Sequence, residues 1–252
     1  MAIKGIFKQM IPAATAITLL SAPIAKTNAE TITLEFDKWT IDYSCDHKGY
    51  EYFTYQAQRD SGELERYKPF HSEARLPKRC RQKATSSYRL PKGSQITYDR
   101  GHGVHQNIWD HSRDLMKQSN SMANIVPQAS LLNRRGAWRY TEKLTECWRD
   151  KGLVTVYGGV VWGSNKKNDH FKKSHGVTTP DFLWKLIKYY DGGVEAWLFP
   201  NDNAATVNNI DDYLVAPRRL EKITKKIFDI PQSLKKGSAK KTRGLPRGCS
   251  IK

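Results

Sequence analysis

Two short stretches hold the side chains whose types and spacing could do chemistry. Tyr98-Asp99-Arg100-Gly101-His102 sets an imidazole two positions after a guanidinium, and Asn133-Arg134-Arg135-Gly136-Ala137-Trp138 leads on to Glu142. An imidazole with a pKa of about 6.5 is substantially neutral at working pH and can take a proton from water. A guanidinium keeps its charge and offers a planar fork that matches phosphate oxygens. Asn133 adds a neutral oxygen donor, enough for a cation such as magnesium that keeps most of its own waters. Phosphodiester hydrolysis needs a base for the attacking water, a cation beside the crowded phosphate and a stabilised leaving oxygen. Taken singly, the same residues read as ordinary: a structural histidine, an Arg-Gly turn, and an asparagine capping the helix that follows.

Between the two stretches lies Asn124-Ile125-Val126-Pro127-Gln128. An Asp-Arg-Gly-His run, then Asn-Ile-Val-Pro-Gln, then Asn-x-x-Gly-Ala-Trp, in this order, resembles the DNA/RNA non-specific endonucleases, the sugar-non-specific ββα-metal nucleases. The resemblance is strongest over residues 96–162 and continues more weakly to about residue 230. It implies an α+β fold with a ββα-metal centre on a mixed or antiparallel sheet with flanking helices. It also implies His102 as general base, Arg100 on the phosphate, and a hydrated Mg2+ (or Mn2+) with Asn133 as its only direct protein ligand. Glu142 would orient the cation's waters. DNA and RNA would be cut with little sequence preference, leaving 5′-phosphate and 3′-hydroxyl ends. Asn124 stands at a family active-site position and, with Arg135 and Arg139, is a candidate for substrate binding.

The sequence departs from the family pattern in two places. Arg134 and Arg135 both stand between Asn133 and Gly136, where the family has one residue, so Glu146 stays beside Glu142 as the alternative water-orienting carboxylate. The family's arginine one turn after that Glu is here Glu146, and Arg135 or Arg139 would have to substitute. Gly103-Val104-His105-Gln106 replaces the usual segment after the base, and His105 reads as a loop residue.

Positioning these groups requires a particular set of elements. If the chain from 96 to 100 is extended, Arg100 and His102 share a face with Tyr98, and Asp99 points the other way. Gly101 would let the chain bend beside the substrate without a Cβ in the way. Strands are expected at 39–43, 50–58, 124–126, 154–162, 182–189 and 194–199, the last two joined by Asp191-Gly192-Gly193. Residues 63–94 read as loop, and 103–121 as a long excursion whose length points to a functional surface. Trp138, Thr141, Leu144 and Trp148 recur at helical spacing over 136–150. A last amphipathic helix is expected beyond Pro217, on Leu220, Ile223 and Ile227.

The chain ends frame this unit. Lys4 and Lys8, an apolar stretch over 10–25 and Thr27-Asn28-Ala29 read as a secretory signal over residues 1–29, with no arginine before Arg59 to favour a transit peptide. Residues 30–230 then form one nuclease domain and 231–252 a basic arm, mobile unless Cys249 ties it down. The expected location is periplasmic or secreted, with no stable membrane insertion. Export makes two disulfides the natural state of Cys45, Cys80, Cys147 and Cys249. Cys45–Cys80 with Cys147–Cys249 is the preferred pairing, because the first brackets one compact segment; no ligand spacing supports zinc.

Net charge is +17, and from Ala216 onward twelve Lys or Arg face two acids. Such a surface draws a polyanion without reading its sequence. A basic nucleic-acid-binding or envelope protein that keeps the fold without catalysis is the alternative reading. Pure binding, however, requires neither a base nor a metal ligand.

Overall fold

Strand alternation builds the sheet that everything else rests on. In β3 (Gly49–Ala57) Phe53, Tyr55 and Ala57 are buried while Thr54 and Gln56 turn outward, the period of two that a half-buried strand demands. The computed structural model describes residues 30–249; the expected signal falls outside the described residues. With β1 (Thr31–Glu35), β2 (Trp39–Ser44), β6 (Val154–Val161), β7 (Phe182–Lys188) and β8 (Val194–Pro200), β3 forms a six-stranded antiparallel sheet in the order β1-β2-β3-β6-β7-β8. Tyr189 N–H bonds to Gly193 O across the β7–β8 turn, and Gly192 there takes φ +83°, which glycine adopts without strain.

Both faces of the sheet are covered. On one side Phe53, Val156, Leu183, Ile187 and Trp197 pack with Trp138, Leu144 and Val126. On the other, Tyr157, Trp184, Leu186 and Ala196 pack with Leu220, Phe228 and Ile230. A sheet buried on both faces turns its central strands into near-continuous apolar runs, which is how β7 reads.

The ββα unit lies on the first face. β4 (Tyr98–His102) pairs antiparallel with β5 (Ile125–Ala129), matching Arg100 with Pro127 and His102 with Ile125. Pro127 is tolerated because a two-stranded ladder leaves one side without a hydrogen-bonding neighbour. Next come α2 (Ser130–Arg134) and α3 (Ala137–Trp148). A Cβ on Gly101 would stand 2.4 Å from Gln128 Cβ, so the glycine admits the opposite strand rather than substrate.

Several expectations are corrected. The excursion over 103–121 is partly helical, with a 3-10 turn at Gln106–Trp109 and α1 at Arg113–Ser119, capped by Ser112. β5 starts at Ile125, after Asn124, and runs to Ala129. Asn133 caps no helix: it sits in the last turn of α2, and Gly136 precedes α3. α4 (Pro217–Thr224) stops at Lys225, which turns left-handed at φ +59°. Ile227 is therefore 84% exposed, and Phe228 and Ile230 fill the core instead.

The disulfides are Cys45–Cys80 and Cys147–Cys249, as preferred from the sequence. The second fastens the C-terminal arm, which is docked at Lys235 and over residues 242–244. α5 (Gln232–Lys235) places Lys235 on Glu221 at 2.7 Å. Trp197 Nε1 donates to Thr242 Oγ1, Arg243 N–H to Glu195, and Trp148 Nε1 to Gly244 O. Among the described residues no helix is long and apolar enough to cross a membrane.

Candidate active site

β4 divides its side chains as the extended pattern requires. Arg100 lays its guanidinium over the Phe70 ring at 3.8 Å and donates to Thr85 O. The His102 ring lies against the same Phe70, with centroids 5.5 Å apart. Asp99 turns the opposite way, toward α2. It accepts from Ser130 Oγ, Asn133 Nδ2 and Arg134 at 2.5–3.0 Å. Burial opposes ionisation, yet these hydrogen bonds hold the Asp99 carboxyl below its usual range.

The tautomer of His102 follows from its neighbour. Asn120 gives both amide hydrogens to carbonyls, those of Tyr67 and Pro69, so its Oδ1 is the atom facing His102 Nε2 at 2.9 Å. Gln106 Nε2 donates to the same oxygen at 2.8 Å. An acceptor there requires the proton on Nε2 and leaves the lone pair on Nδ1, which has no protein partner among the described residues. Burial first, and then the charge of Arg66, bring the His102 pKa down to about 3 against the Asn120 hydrogen bond, so the ring is neutral at working pH. Asn120, Gln106 and Arg66 escaped sequence reasoning. They lie in segments read as irregular, and no local spacing marked them.

Asn133 is oriented by similar logic. Asp99 can only accept, so Nδ2 faces it, and Oδ1 is left with no hydrogen bond among the described residues. Glu142, one helical turn past Trp138, accepts from its indole N–H at 3.1 Å and from Arg139 at 3.2 Å. Arg66, Arg100, His102, Asn133, Arg139 and Glu142 all line one cavity of about 380 Å³. An amide oxygen and a carboxylate, in a lining without sulfur, are hard oxygen donors that suit a hydrated divalent cation. The residues therefore fit the implied metal.

Glu146 does not share this position. It is buried between Arg139, at 2.7 Å, and His105 Nε2, at 3.3 Å. Against desolvation, those contacts hold its carboxyl down at about 2. His105 is correspondingly no loose loop residue. It is buried, with Tyr55 Oη at 3.3 Å from its other ring nitrogen. Beneath both glutamates, the fully buried Lys185 Nζ lies 3.8 Å over the Trp138 ring, and burial lowers its pKa to about 8.

Not all sequence candidates meet at the cavity. Asn124 is fully buried: Oδ1 accepts from Val104 N–H, while Nδ2 donates to Val104 O and Ser119 O. It thus ties down the backbone that follows His102 and leaves no polar atom for substrate. Arg135 lines a separate depression with Gln95, Thr97 and Asn203, joined to the first only through Arg134. Arg139 lines the cavity that holds His102, but two carboxylates already hold its guanidinium.

The arrangement has counterparts. EndoG, in the crystal structure of the EndoG/EndoGI complex, is similar with a TM-score of 0.64 at 18% identity, covering 80% of this chain and 88% of that one. At that identity the likeness speaks for the fold, and it bears out the α+β, ββα-metal arrangement. Comparison with curated proteins finds no match. The model of the DNA/RNA non-specific endonucleases matches residues 19–236, most of the length, and the chain belongs to that family of nucleases.

Proposed function

We propose that the protein is an exported, magnesium-dependent endonuclease that cuts DNA and RNA with little sequence preference. The observation that carries this reading is the convergence of a neutral, tautomer-fixed His102, the Arg66 and Arg100 guanidiniums and the free Asn133 oxygen on one cavity. His102 Nδ1 accepts the proton of the attacking water while Nε2–H stays on Asn120. A phosphate held by Arg66 and Arg100 offsets the positive charge that depresses the imidazole. Its arrival therefore raises the basicity of His102 at the step that needs it. Asn133 would hold the cation and Glu142 would orient its waters. Bound there, it would supply Lewis-acid stabilisation of the phosphate's charge and of the departing 3′ oxygen. Products would carry 5′-phosphate and 3′-hydroxyl ends.

Recognition is through the backbone, since guanidiniums meet phosphate oxygens irrespective of base. Two disulfides support residence in an oxidising compartment, periplasmic or extracellular. The test is incubation of the purified chain with plasmid and with RNA, with and without EDTA. Cleavage of both, abolished by EDTA and by His102→Ala, is expected. Cutting that persists in EDTA would remove the metal from the reading, and binding without cutting would favour the non-catalytic alternative.

A further inference from the structure

A second concavity, of about 570 Å³, adjoins the cavity that holds His102 and shares Arg66, Arg100, Asn133 and Arg134 with it. Its far wall carries Lys68, Ser87 and Arg89, from the irregular stretch between β3 and β4. Positive charge here is largely uncompensated. The lone carboxylate of the lining is Asp99, whose oxygens are already taken by Ser130, Asn133 and Arg134. Lys68 and Arg89 are exposed and make no ion pair or hydrogen bond among the described residues, nor does Arg66. Arg100 is neutralised by nothing stronger than a carbonyl and a ring face. Like charges gathered in a concave wall repel one another and focus the field on an incoming anion.

The lining also selects which part of a nucleic acid can sit there. Of the four rings in the lining, three offer no face for base stacking, and the fourth, Tyr67, is half-buried against the core. Phe70 is covered by Arg100, and Tyr88 and Tyr98 are buried against Phe171, with Tyr88 Oη committed to Gln82. Besides the edge of Tyr67, the space is lined by the Arg89 guanidinium, the Lys68 ammonium and the Ser87 hydroxyl, donors suited to phosphate oxygens.

We infer that this concavity is a subsite for the phosphate adjacent to the scissile one, held by Lys68 and Arg89. The subsite rests on the nuclease reading and deepens it: the enzyme engages a strand through two successive linkages, and a substrate lacking the neighbouring charge is a poor one. Because neither contact touches sugar or base, the preference acts alike on DNA and RNA.

The experiment uses short single-stranded oligonucleotides carrying one neutral methylphosphonate linkage, walked along the strand. They are cut by the full chain with magnesium and by a Lys68→Ala/Arg89→Ala double variant. In the wild type, kcat/KM at a given bond should fall about tenfold when the linkage on one particular side is neutral, the size of a lost charge-assisted hydrogen bond. In the variant that additional loss should shrink to within about twofold, and the log–log salt slope should be shallower by about 0.7 per lost contact. Both side chains are exposed and unpartnered, so an unchanged thermal midpoint is expected to accompany the result. An equal methylphosphonate loss in both proteins, or none at any flanking position, overturns the subsite. A wild type that leaves every oligonucleotide intact overturns the nuclease reading and the subsite with it.

Discussion

Asn133 Nδ2 lies 3.0 Å from Asp99 Oδ2, so the first residue of the Asp-Arg-Gly-His run orients a side-chain amide on a helix more than thirty positions away. The two motifs are one device. β4 supplies the base on one side and, on the other, the carboxylate that turns the Asn133 oxygen free.

Asp99→Ala should therefore act on metal affinity. Losing a partner that orients a ligand typically costs about 10–100-fold in affinity or activity. The magnesium concentration for half-maximal cleavage should rise by that order, with most of the rate restored at saturating metal. A magnesium titration of both proteins decides it. An unchanged midpoint would show that Asn133 needs no such support.

His102 carries a stability signature that is separable from turnover. Its folded pKa of about 3 lies below the ordinary 6.5 because burial and Arg66 disfavour the imidazolium. The unfolded chain thus binds a proton that the folded chain refuses. The contribution is fully present above pH 6.5 and is lost as pH falls from there toward 3. His102→Gln keeps a polar group near Asn120 without the titration. Its unfolding free energy, followed by urea, should fall less steeply over that window. Parallel curves would mean that His102 titrates normally.

The two glutamates of α3 should separate by assay. Glu142 lines the cavity, whereas Glu146 is enclosed by Arg139 and His105. Glu142→Gln should raise the magnesium requirement with little change in thermal midpoint. Glu146→Gln should instead lower the midpoint at neutral pH, because its depressed pKa marks stabilisation present above pH 4.5 and lost as pH falls toward 2. The reverse pattern would show that the residue inserted after Asn133 has shifted the register.

How much of this was legible in the sequence depends on the range of the signal. Alternation in β3 and helical spacing in α3 are local, and both elements fall within two residues of expectation. Pairing of Cys45 with Cys80 followed from chain proximity. Asn120 carries no such mark, since its value comes from meeting His102, Gln106 and two carbonyls contributed by a loop some fifty residues earlier. The same limit hid Asn124. A motif position told that the residue mattered, but not that all its polar capacity is spent on backbone. Glu142 and Glu146 looked equivalent along the helix and are equally buried; their surroundings, the cavity and Trp138 for Glu142 and His105 for Glu146, tell them apart.

The C-terminal arm gives the last prediction, and the structure alters what its removal should do. A free basic tail could be deleted with loss of nucleic-acid affinity alone. This one is a strap. Cys249 is bridged to Cys147 on α3, five residues from Glu142, and Arg243 stacks on Tyr189 at 4.2 Å while pairing with Asp191. The Arg243 carbonyl accepts from Tyr140 on the same helix, and Trp197 Nε1 would lose Thr242. Deleting residues 237–252 should therefore cost stability as well as charge. The bridge alone is worth roughly 2–5 kcal/mol in a domain that depends on it. Cys147→Ser/Cys249→Ser separates the two effects, because it cuts the tether and keeps every basic residue. Urea unfolding should show most of the stability loss in the serine variant, and the salt dependence of DNA binding should change only in the deletion. A serine variant as stable as the wild type would mean that the arm's own contacts hold it without the bridge.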